Sequence, residues 1–214
     1  MNAKDTRERL IDAAEELISQ KGYARTSLRE ITSLANANLA SVNYHFGSKE
    51  GVAEAVLKRH LEPLNQERME LLQAELDAAE AEGRNPDPRT LLHALYMPIL
   101  VHASHGRRGG FFLRIFARLV TDPSSVFQKM AIKHLQGLLT AFYDALAVSL
   151  PNLNEEVIFA RMILSFGAMA HAGNIMADRD KLEEVRDSDL PHFPEVSVLL
   201  DETIEYICRG MGVS

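Results

Sequence analysis

The sequence predicts an all-α fold. Apolar residues recur at three- and four-residue intervals through most of the 214 positions, the spacing that gives a helix one apolar face. Serine, threonine and asparagine caps precede these segments, glycine or proline follows them, and no segment shows the two-residue alternation of a strand. We therefore predict an N-terminal three-helix domain in residues 1–50 and a larger helical domain in residues 51–214.

The first helix is predicted between a cap at Asp5 or Thr6 and a stop at Gly22, because glycine readily adopts the left-handed conformation that ends a helix. We expect its apolar face to brace the short helices that follow. That face consists of Leu10, Ala13, Ala14, Leu17 and Ile18.

A second helix is predicted after Thr26 or Ser27, with Glu30 as the capping-box partner. Asn36 then tolerates the left-handed conformation that a tight turn between helices requires. A third helix begins at a cap on Asn38. Two short helices joined by such a turn form a helix-turn-helix unit.

A long fourth helix is predicted after a cap at Ser48, with a kink at Pro63. Two connections are predicted further along: the loop HGRRGG, and the acidic stretch DRDKLEEVRDSDLPHFP, which is poor in apolar residues and expected to be mobile. The later helical segments are RTLLHALYMPILVHAS, GGFFLRIFARLV, SSVFQKMAIKHLQGLLTAFYDALAVSL, EEVIFARMILSFGAMAHAGNIMA and EVSVLLDETIEYICRGMG.

Charge is distributed unevenly along a chain whose net charge is −7. Residues 1–50 are neutral, residues 101–150 are basic, and the other two blocks are acidic. Because phosphate attraction needs local lysine and arginine, DNA is expected to approach only the neutral or the basic block.

The single cysteine, Cys208, cannot form an internal disulfide, which favours a reducing cytoplasm. There is no apolar run of about 18 residues and no charged-then-apolar leader, so we expect neither a membrane partner nor a signal peptide. No cofactor motif occurs, and no cofactor is predicted.

The third predicted helix combines small and polar side chains. Ala37, Ala40 and Ser41 allow its backbone to lie close to a bulky partner, while Asn43 and Tyr44 offer hydrogen-bonding groups. Such groups suit the base edges and phosphates of a DNA major groove. The alternative, a small-residue contact between helices, explains the apolar face but not the polar groups.

Two stretches, TSLREIT and NLASVNYHFGSKEG, resemble the N-terminal DNA-binding domain of the TetR family of bacterial transcriptional regulators. The resemblance covers roughly the first 50 to 55 residues, with YHFGSKE and its spacing from GYARTSL as the strongest elements. The wording NLASVNYHFGSK is also similar to the subgroup that regulates fatty-acid degradation. The resemblance implies a DNA-binding repressor, not an enzyme, that a small hydrophobic effector, such as a long-chain fatty acid or acyl-CoA, releases from its operator.

The chain departs from the family pattern at two places. Asn36 stands in the turn where many members have glycine, a change that the backbone permits. Val42 and Asn43 stand where many members have a Leu-Tyr pair, and Tyr44 points about 100° further round the helix, so it cannot simply replace the family's tyrosine.

The resemblance also implies a set of DNA contacts. Hydroxyls at the start of the second helix bind phosphate, an arginine reaches a base, the third helix faces the groove, and the residues after it hold the flanking backbone. In that order the residues are Thr26 and Ser27; Arg29; Asn38, Leu39, Ser41 and Asn43; and Tyr44, His45 and Lys49.

A ligand pocket among the middle helices is a further implication, although large apolar residues there are in the first instance core. The two arginines of HGRRGG would meet a carboxylate or the pyrophosphate of an acyl-CoA, or else remain solvated loop charges. The candidate pocket residues are Met97, Arg107, Arg108, Phe112, Phe116, Phe142, Phe166 and Met169.

The last two long helices resemble the C-terminal pair with which the family forms homodimers. Two copies related by a two-fold axis would read half-sites about 34 to 36 Å apart, or a multiple of that distance. The predicted interface residues are Ile158, Met162, Ser165, Ala168, Ala172, Leu199, Ile204 and Ile207.

Two other functions are left open: a DNA-binding protein without an effector, and a helical enzyme that acts on an acyl ligand. The enzyme is disfavoured because no nucleophile–base pair or phosphate loop is found. A metal site is disfavoured because His102 and His105 have no cysteine or carboxylate at ligand spacing.

Overall fold

The computed structural model describes residues 3–103, 106–121, 126–187, 189 and 191–213. Within these ranges all regular secondary structure is helical, which confirms the predicted fold class. The helices are α1 (Ala3–Lys21), α2 (Leu28–Leu34), α3 (Leu39–Phe46), α4 (Lys49–Glu82), α5 (Pro88–Ala103), α6 (Gly106–Thr121), α7 (Val126–Ser149), α8 (Glu155–Glu184) and α9 (Val196–Met211).

The N-terminal helices pack around one apolar cluster. Leu10 and Ala14 of α1, Ile31 of α2 and Val42 of α3 are all buried in it, together with Val56 of α4. Burial of one residue from each short helix fixes the helix-turn-helix geometry, since helices this short are marginal without tertiary packing.

A second apolar cluster fills the larger part of the chain. Helix α5 is its centre, because Leu91, Leu95, Tyr96 and Ile99 are fully buried. Helices α4, α6, α7, α8 and α9 pack around it. Helix α5, predicted from the segment RTLLHALYMPILVHAS, is thus the central helix of the larger cluster.

Helix α4 belongs to both clusters. Val56 and Leu61 lie in the N-terminal cluster, whereas Leu64 and Leu72 lie in the second. The N-terminal cluster also contains Ile115 of α6 and residues of α7, so packing continues across the predicted boundary at residue 50. The N-terminal helix-turn-helix unit and the larger helical unit therefore share α4 and pack against each other.

The structure corrects two predicted connections. HGRRGG is not wholly a loop, because α6 begins at Gly106 and includes most of it. The acidic stretch after Ala177 is in part helical, because α8 continues to Glu184 past a kink at Asp178, where φ is −126° and ψ is 19°. Arg114 donates to both the Ala177 carbonyl and the Asp178 carboxylate, which stabilises this kink.

Candidate nucleic-acid interface and internal cavity

Helix α2 begins with a complete capping box at Ser27. The Ser27 hydroxyl accepts from the Glu30 backbone N–H at 3.3 Å, and the Glu30 carboxylate accepts from the Ser27 N–H at 2.9 Å. A hydrogen bond from Lys21, followed by those from Ser27, lowers the pKa of Glu30 to about 2. Glu30 therefore stays ionised and holds the start of α2.

The turn between α2 and α3 has the predicted geometry. Asn36 adopts φ +46°, the left-handed region that asparagine tolerates. Asn38 caps α3, since its Oδ1 accepts from the Ser41 N–H at 2.8 Å and from the Ser41 hydroxyl at 3.0 Å. Val42 is completely buried and sets which side of α3 faces outward.

The outward side of α3, here called the exposed α3 face, consists of Leu39, Ala40, Asn43 and Tyr44. Tyr44 is 82% exposed. Packing within the described chain therefore does not explain why an aromatic ring occupies this position. Its ring lies edge-on to that of His45 at 4.9 Å between centroids. The exposed α3 face combines apolar side chains with the amide of Asn43. The small side chain of Ala40 allows the helix backbone to approach a DNA groove closely.

Four further predicted DNA contacts lie at the start of α2, at the end of α3 and at the start of α4. Ser27 and Arg29 are exposed, whereas His45 and Lys49 are half-buried. The Ser27 hydroxyl donates to Glu30 at 2.8 Å, so a phosphate at this position would replace that bond.

Thr26 must be removed from the predicted phosphate contacts. It is 2% exposed, its hydroxyl donates to the Gly22 carbonyl at 2.9 Å, and its N–H donates to the Tyr23 carbonyl at 3.1 Å. Both donors are used inside the protein. Thr26 instead ties the end of α1 to the start of α2.

Tyr23 is a functional candidate that the sequence reasoning missed. The Lys49 ammonium lies over its ring at 4.2 Å, and its hydroxyl donates to Glu50 at 2.9 Å. Burial, and then the hydrogen bond to Glu50, raises the pKa of Tyr23 to about 12. Its ring also stacks on Phe127 of α7 at 5.6 Å, so Tyr23 joins the start of α4 to the second unit.

A cavity of about 910 Å³ lies in the second unit. It is bordered by α4, α6, α7 and α8 and is lined mostly by apolar side chains. Two predicted pocket residues, Phe116 and Phe166, line it, whereas the sequence reasoning missed Arg68, Leu139, Tyr143 and Phe159. No motif pointed to these four, because a cavity is what packing leaves unfilled.

The other predicted pocket residues do not belong to the described wall of this cavity. Met97 packs against the second core, and Phe142 and Met169 are buried within it. Phe112 is buried between His60 and His102, at 5.3 and 4.8 Å between ring centroids.

The predicted arginine pair is also displaced from the cavity. Arg108 is exposed and pairs with Asp12 of α1 at 3.0 Å. The side chain of Arg107 lies outside the described part of the chain.

The predicted dimer residues are corrected as well, because most of them face the interior of the protomer. Ile158, Met162, Ala172, Ile204 and Ile207 are each under 5% exposed. Ser165 is buried too, and its hydroxyl donates to the Arg161 carbonyl at 2.8 Å. Ala168 and Leu199 are half-buried.

The opposite sides of these helices are exposed, and we call them the outer face of α8 and α9. On α8 it comprises Ala160, Leu164 and His171, and on α9 it comprises Val198 and Tyr206. Leu164 and Tyr206 are each 71% exposed. Both sides of α8 carry apolar residues, so periodicity alone does not distinguish them, and most of the predicted set lies on the side that packs inside the protomer.

A buried polar cluster joins α1 to α4 and α5. His60 Nε2 lies 2.9 Å from Glu15 Oε1, and His60 Nδ1 lies 2.9 Å from His102 Nε2. Arg59 donates to Glu8, Asp12 and Glu15 at 2.6 to 2.8 Å. The first helix of the helix-turn-helix unit is therefore held to α4 by charge as well as by apolar packing.

These features define a class of protein: a helix-turn-helix DNA-binding protein with a second helical unit that carries an apolar cavity open to solvent on one side. The model of bacterial regulatory proteins of the tetR family matches residues 10–56, and the model of the tetracyclin repressor-like C-terminal domain matches residues 93–210. The second match alone covers more than half of the chain. The chain therefore belongs to the TetR family and is a transcriptional regulator, not an enzyme.

Two relatives illustrate this membership. The transcriptional repressor NemR of Escherichia coli K12 is 28% identical over 142 residues, which is 66% of this chain and 67% of NemR. The uncharacterized regulator YvkB of Bacillus subtilis is 39% identical over 57 residues, which is 27% of this chain and only 30% of YvkB.

Solved structures agree over almost the whole chain. FadR from Bacillus subtilis in complex with stearoyl-CoA has a TM-score of 0.64 at 14% identity, covering 95% of this chain and 98% of FadR. Reduced Escherichia coli NemR has a TM-score of 0.56 at 21% identity, covering 96% of this chain and 97% of NemR. At such identities the likeness shows the fold alone.

The described residues lack both a metal-binding cluster and a membrane-spanning helix. They contain no group of three or more histidine, cysteine or acidic side chains placed to hold a metal ion. They also contain no helix that is long and apolar enough to cross a bilayer.

Proposed function

We propose that the protein is a homodimeric, ligand-responsive repressor that binds a pseudo-palindromic operator and is released by a small hydrophobic effector. The observation that carries this proposal is that α4 belongs to both apolar clusters. Its N-terminal part packs against the helix-turn-helix unit, and Leu61, Leu64 and Arg68 further along it contribute to the cavity wall. A change in cavity occupancy therefore acts on a helix that also positions the DNA-binding surface.

DNA contact is assigned to the exposed α3 face and its surroundings. Asn43 offers the amide that suits adenine, and Arg29 offers the guanidinium that suits guanine. Ser27 and Lys49 reach the flanking phosphates. The proposed set is Ser27, Arg29, Asn38, Leu39, Ser41, Asn43, Tyr44, His45 and Lys49.

Dimerisation is assigned to the outer face of α8 and α9. Its exposed apolar side chains, Leu164, Val198 and Tyr206, are of the kind that stable dimers bury. A two-fold axis through this face would bring two α3 helices to one operator.

The effector is assigned to the cavity between α4 and α8. Its volume of about 910 Å³ is at the upper end of the range for small-molecule sites. Its apolar lining supports a hydrophobic effector, such as a fatty acid or the acyl part of an acyl-CoA. The fold neighbour FadR, which was solved with stearoyl-CoA, offers an analogy at the level of fold alone.

The mechanism is a population shift between two states. Effector favours a state in which the two α3 helices no longer match the operator spacing, and this requires tighter effector binding in that state. We place this action in the cytoplasm, where the operator DNA lies.

Genomic capture tests the DNA-binding part of the proposal. The purified protein is incubated with sheared DNA from its own genome, and the retained fragments are sequenced. We expect a few short pseudo-palindromic sites, whose neighbouring genes would name the regulated pathway. The control is the double variant Asn43→Ala, Tyr44→Ala, which changes two exposed side chains and is expected to fold but not to enrich these sites. Retention without a shared motif would contradict specific reading by α3.

A further inference from the structure

Arg68 is a charged residue in the apolar cavity. It lies on α4, is 2% exposed, and borders the cavity beside Leu64, Phe116 and Phe166. Arginine is rarely buried so completely unless a counter-charge accompanies it. The surroundings of this guanidinium therefore indicate what the cavity holds.

The hydrogen bonds of Arg68 are incomplete. Its Nε is buried and has no partner among the described residues. Its Nη1 donates only a long bond of 3.4 Å to Asn65 Oδ1, while the amide of Asn65 donates to the His134 carbonyl at 2.8 Å. The guanidinium thus keeps donors that the described protein leaves unused.

The charge of Arg68 is not balanced either. No carboxylate in the described part of the chain forms an ion pair with it, and the adjacent Glu67 is exposed to solvent. Tyr96 does not supply a negative charge, because burial raises the pKa of its hydroxyl above the usual range. Burial lowers the pKa of Arg68 to about 10, so the guanidinium is still protonated at neutral pH.

A buried cation without a counter-ion is strongly unfavourable, whereas a paired one is tolerated. Arg68 is the one positive charge in the described wall of the cavity. A ligand with a single negative charge would balance it, and a planar carboxylate matches the two-pronged geometry of a guanidinium. The exposed Glu155 and Glu156 at the rim would act against an anion held there but are screened by solvent.

We propose that the effector is an amphipathic monocarboxylate whose head pairs with Arg68 and whose apolar body lies against Phe116, Leu139 and Phe166. This inference rests on the proposed effector function of the cavity and deepens it by naming the chemical class. The acidic head lies deep, beside α4, and the apolar tail extends between α7 and α8 toward Phe159.

Calorimetric titration of the full chain tests this inference with three probes of equal chain length: decanoate, 1-decanol and decyltrimethylammonium. Decanoate is expected to bind about 10- to 100-fold more tightly than the alcohol, the factor that a charge-assisted hydrogen bond contributes. The cationic probe is expected to bind most weakly, because it would lie against Arg68.

Three variants locate the preference. Arg68→Met removes the charge at similar length, and the ratio of decanoate to decanol affinity is expected to fall close to one. Arg68→Lys keeps a charge and is expected to restore part of the preference. Thr140→Val changes an exposed, uncharged group of the same cavity and is expected to leave the ratio unchanged.

Thermal unfolding of the free protein adds a readout that does not depend on ligand. Arg68→Met is expected to unfold at the same or a higher temperature than the native chain, since it removes an unpaired buried charge. A marked loss of stability would mean that Arg68 serves the fold and would overturn its assignment as a ligand group.

The binding results distinguish a failure of the carboxylate inference from a failure of the proposed effector function. Equal affinity for decanoate and decanol, or tighter binding of the cation, would overturn the carboxylate inference and leave a hydrophobic effector in place. Binding by none of the three probes would overturn both.

Discussion

Gly51 lies in the first turn of α4, where a Cβ atom would collide with the carbonyl oxygen of Phe46 at the end of α3. Backbone cannot move aside as a flexible side chain can, so Gly51→Ala is expected to displace α3 relative to α4. Operator affinity should fall at least about tenfold, measured by fluorescence polarisation.

Gly137→Ala is the matched control for Gly51→Ala. A Cβ at Gly137 on α7 would meet no described atom within 4 Å. The substitution is expected to stabilise the helix by about 0.5–1 kcal/mol and to leave DNA binding unchanged. Native operator affinity in Gly51→Ala would contradict the close contact between α3 and α4.

Glu15 gives the protein a pH dependence that can be measured. Burial acts to raise its pKa, but hydrogen bonds from His60 and Arg59 outweigh burial and hold the pKa below 4.5. A carboxyl with a lowered folded-state pKa stabilises the fold above its unfolded pKa, and that contribution is lost as pH falls through the folded value.

Glu15→Gln is therefore expected to unfold about 5–10 °C below the native chain at neutral pH, because a buried charge partner is removed. The gap should begin to close as pH falls below the ordinary carboxyl value of 4.5 and should disappear only below the lowered pKa of folded Glu15, where the native carboxyl becomes neutral. Calorimetric unfolding at several pH values measures this gap. A gap that stays constant with pH would contradict an ionised Glu15.

Single residues also mark the limit of the sequence reasoning. Thr26 and Ser27 are adjacent hydroxyl residues before the same helix, and both were predicted to bind phosphate. Only the fold decides that Thr26 bonds back to Gly22 while Ser27 is exposed. The caps at Ser27 and Asn38 were predictable because each depends on residues three positions away.

At the scale of elements, α4 is the helix through which the proposed signal passes. Pro63 lies inside it and cannot donate to the carbonyl of Arg59, so the helix is weakest where its two halves meet. Pro63→Ala is expected to raise the free energy of unfolding by about 1–3 kcal/mol and to reduce the loss of operator affinity that effector causes.

The control for Pro63→Ala is Glu62→Ala, at the exposed preceding position, which is expected to change neither property appreciably. Denaturant unfolding and operator titration with and without decanoate measure both. An unchanged effector response in a stabilised Pro63→Ala variant would remove Pro63 from the mechanism.

The existence of the helices was predictable, but their ends and outward faces were less so. Periodicity located α6 and α8, yet α6 begins earlier than predicted and α8 continues past Asp178, because glycine and charged residues are tolerated in helices that packing supports. Helix α8 is apolar on two sides, so periodicity alone could not separate the side that faces α9 from the outer one.

At the scale of the whole molecule, the outer face of α8 and α9 is expected to hold the dimer together. Leu164→Glu places a charge at a position that is 71% exposed in the protomer and that is expected to be buried between two copies. The variant should be monomeric by analytical ultracentrifugation and should lose operator binding, because one α3 helix reads too few base pairs.

Val148→Glu is the matched control for Leu164→Glu. Val148 is 54% exposed and belongs to α7 rather than to α8 or α9, so the same change in charge should leave a dimer. A dimeric Leu164→Glu variant that binds operator normally would place the interface elsewhere.

The residues that line the cavity could not be predicted from the sequence, because they depend on the packing of the whole molecule. Phe112, Phe116 and Phe142 are the same residue type on amphipathic helices, yet only Phe116 borders the described cavity. Which side chains border a void depends on how all the surrounding helices pack. The family and the helix-turn-helix unit could be predicted from the sequence, because both depend on the spacing of residues that are close together in the chain.

Operator affinity measured with and without bound probe shows whether cavity occupancy controls DNA binding. A labelled operator from the genomic capture is titrated with native protein, alone and with decanoate at a concentration that calorimetry shows to be saturating. We expect decanoate to weaken operator binding by about tenfold or more. Unchanged operator affinity with the cavity occupied would mean that cavity occupancy does not control DNA binding and would leave a DNA-binding protein that its ligand does not control.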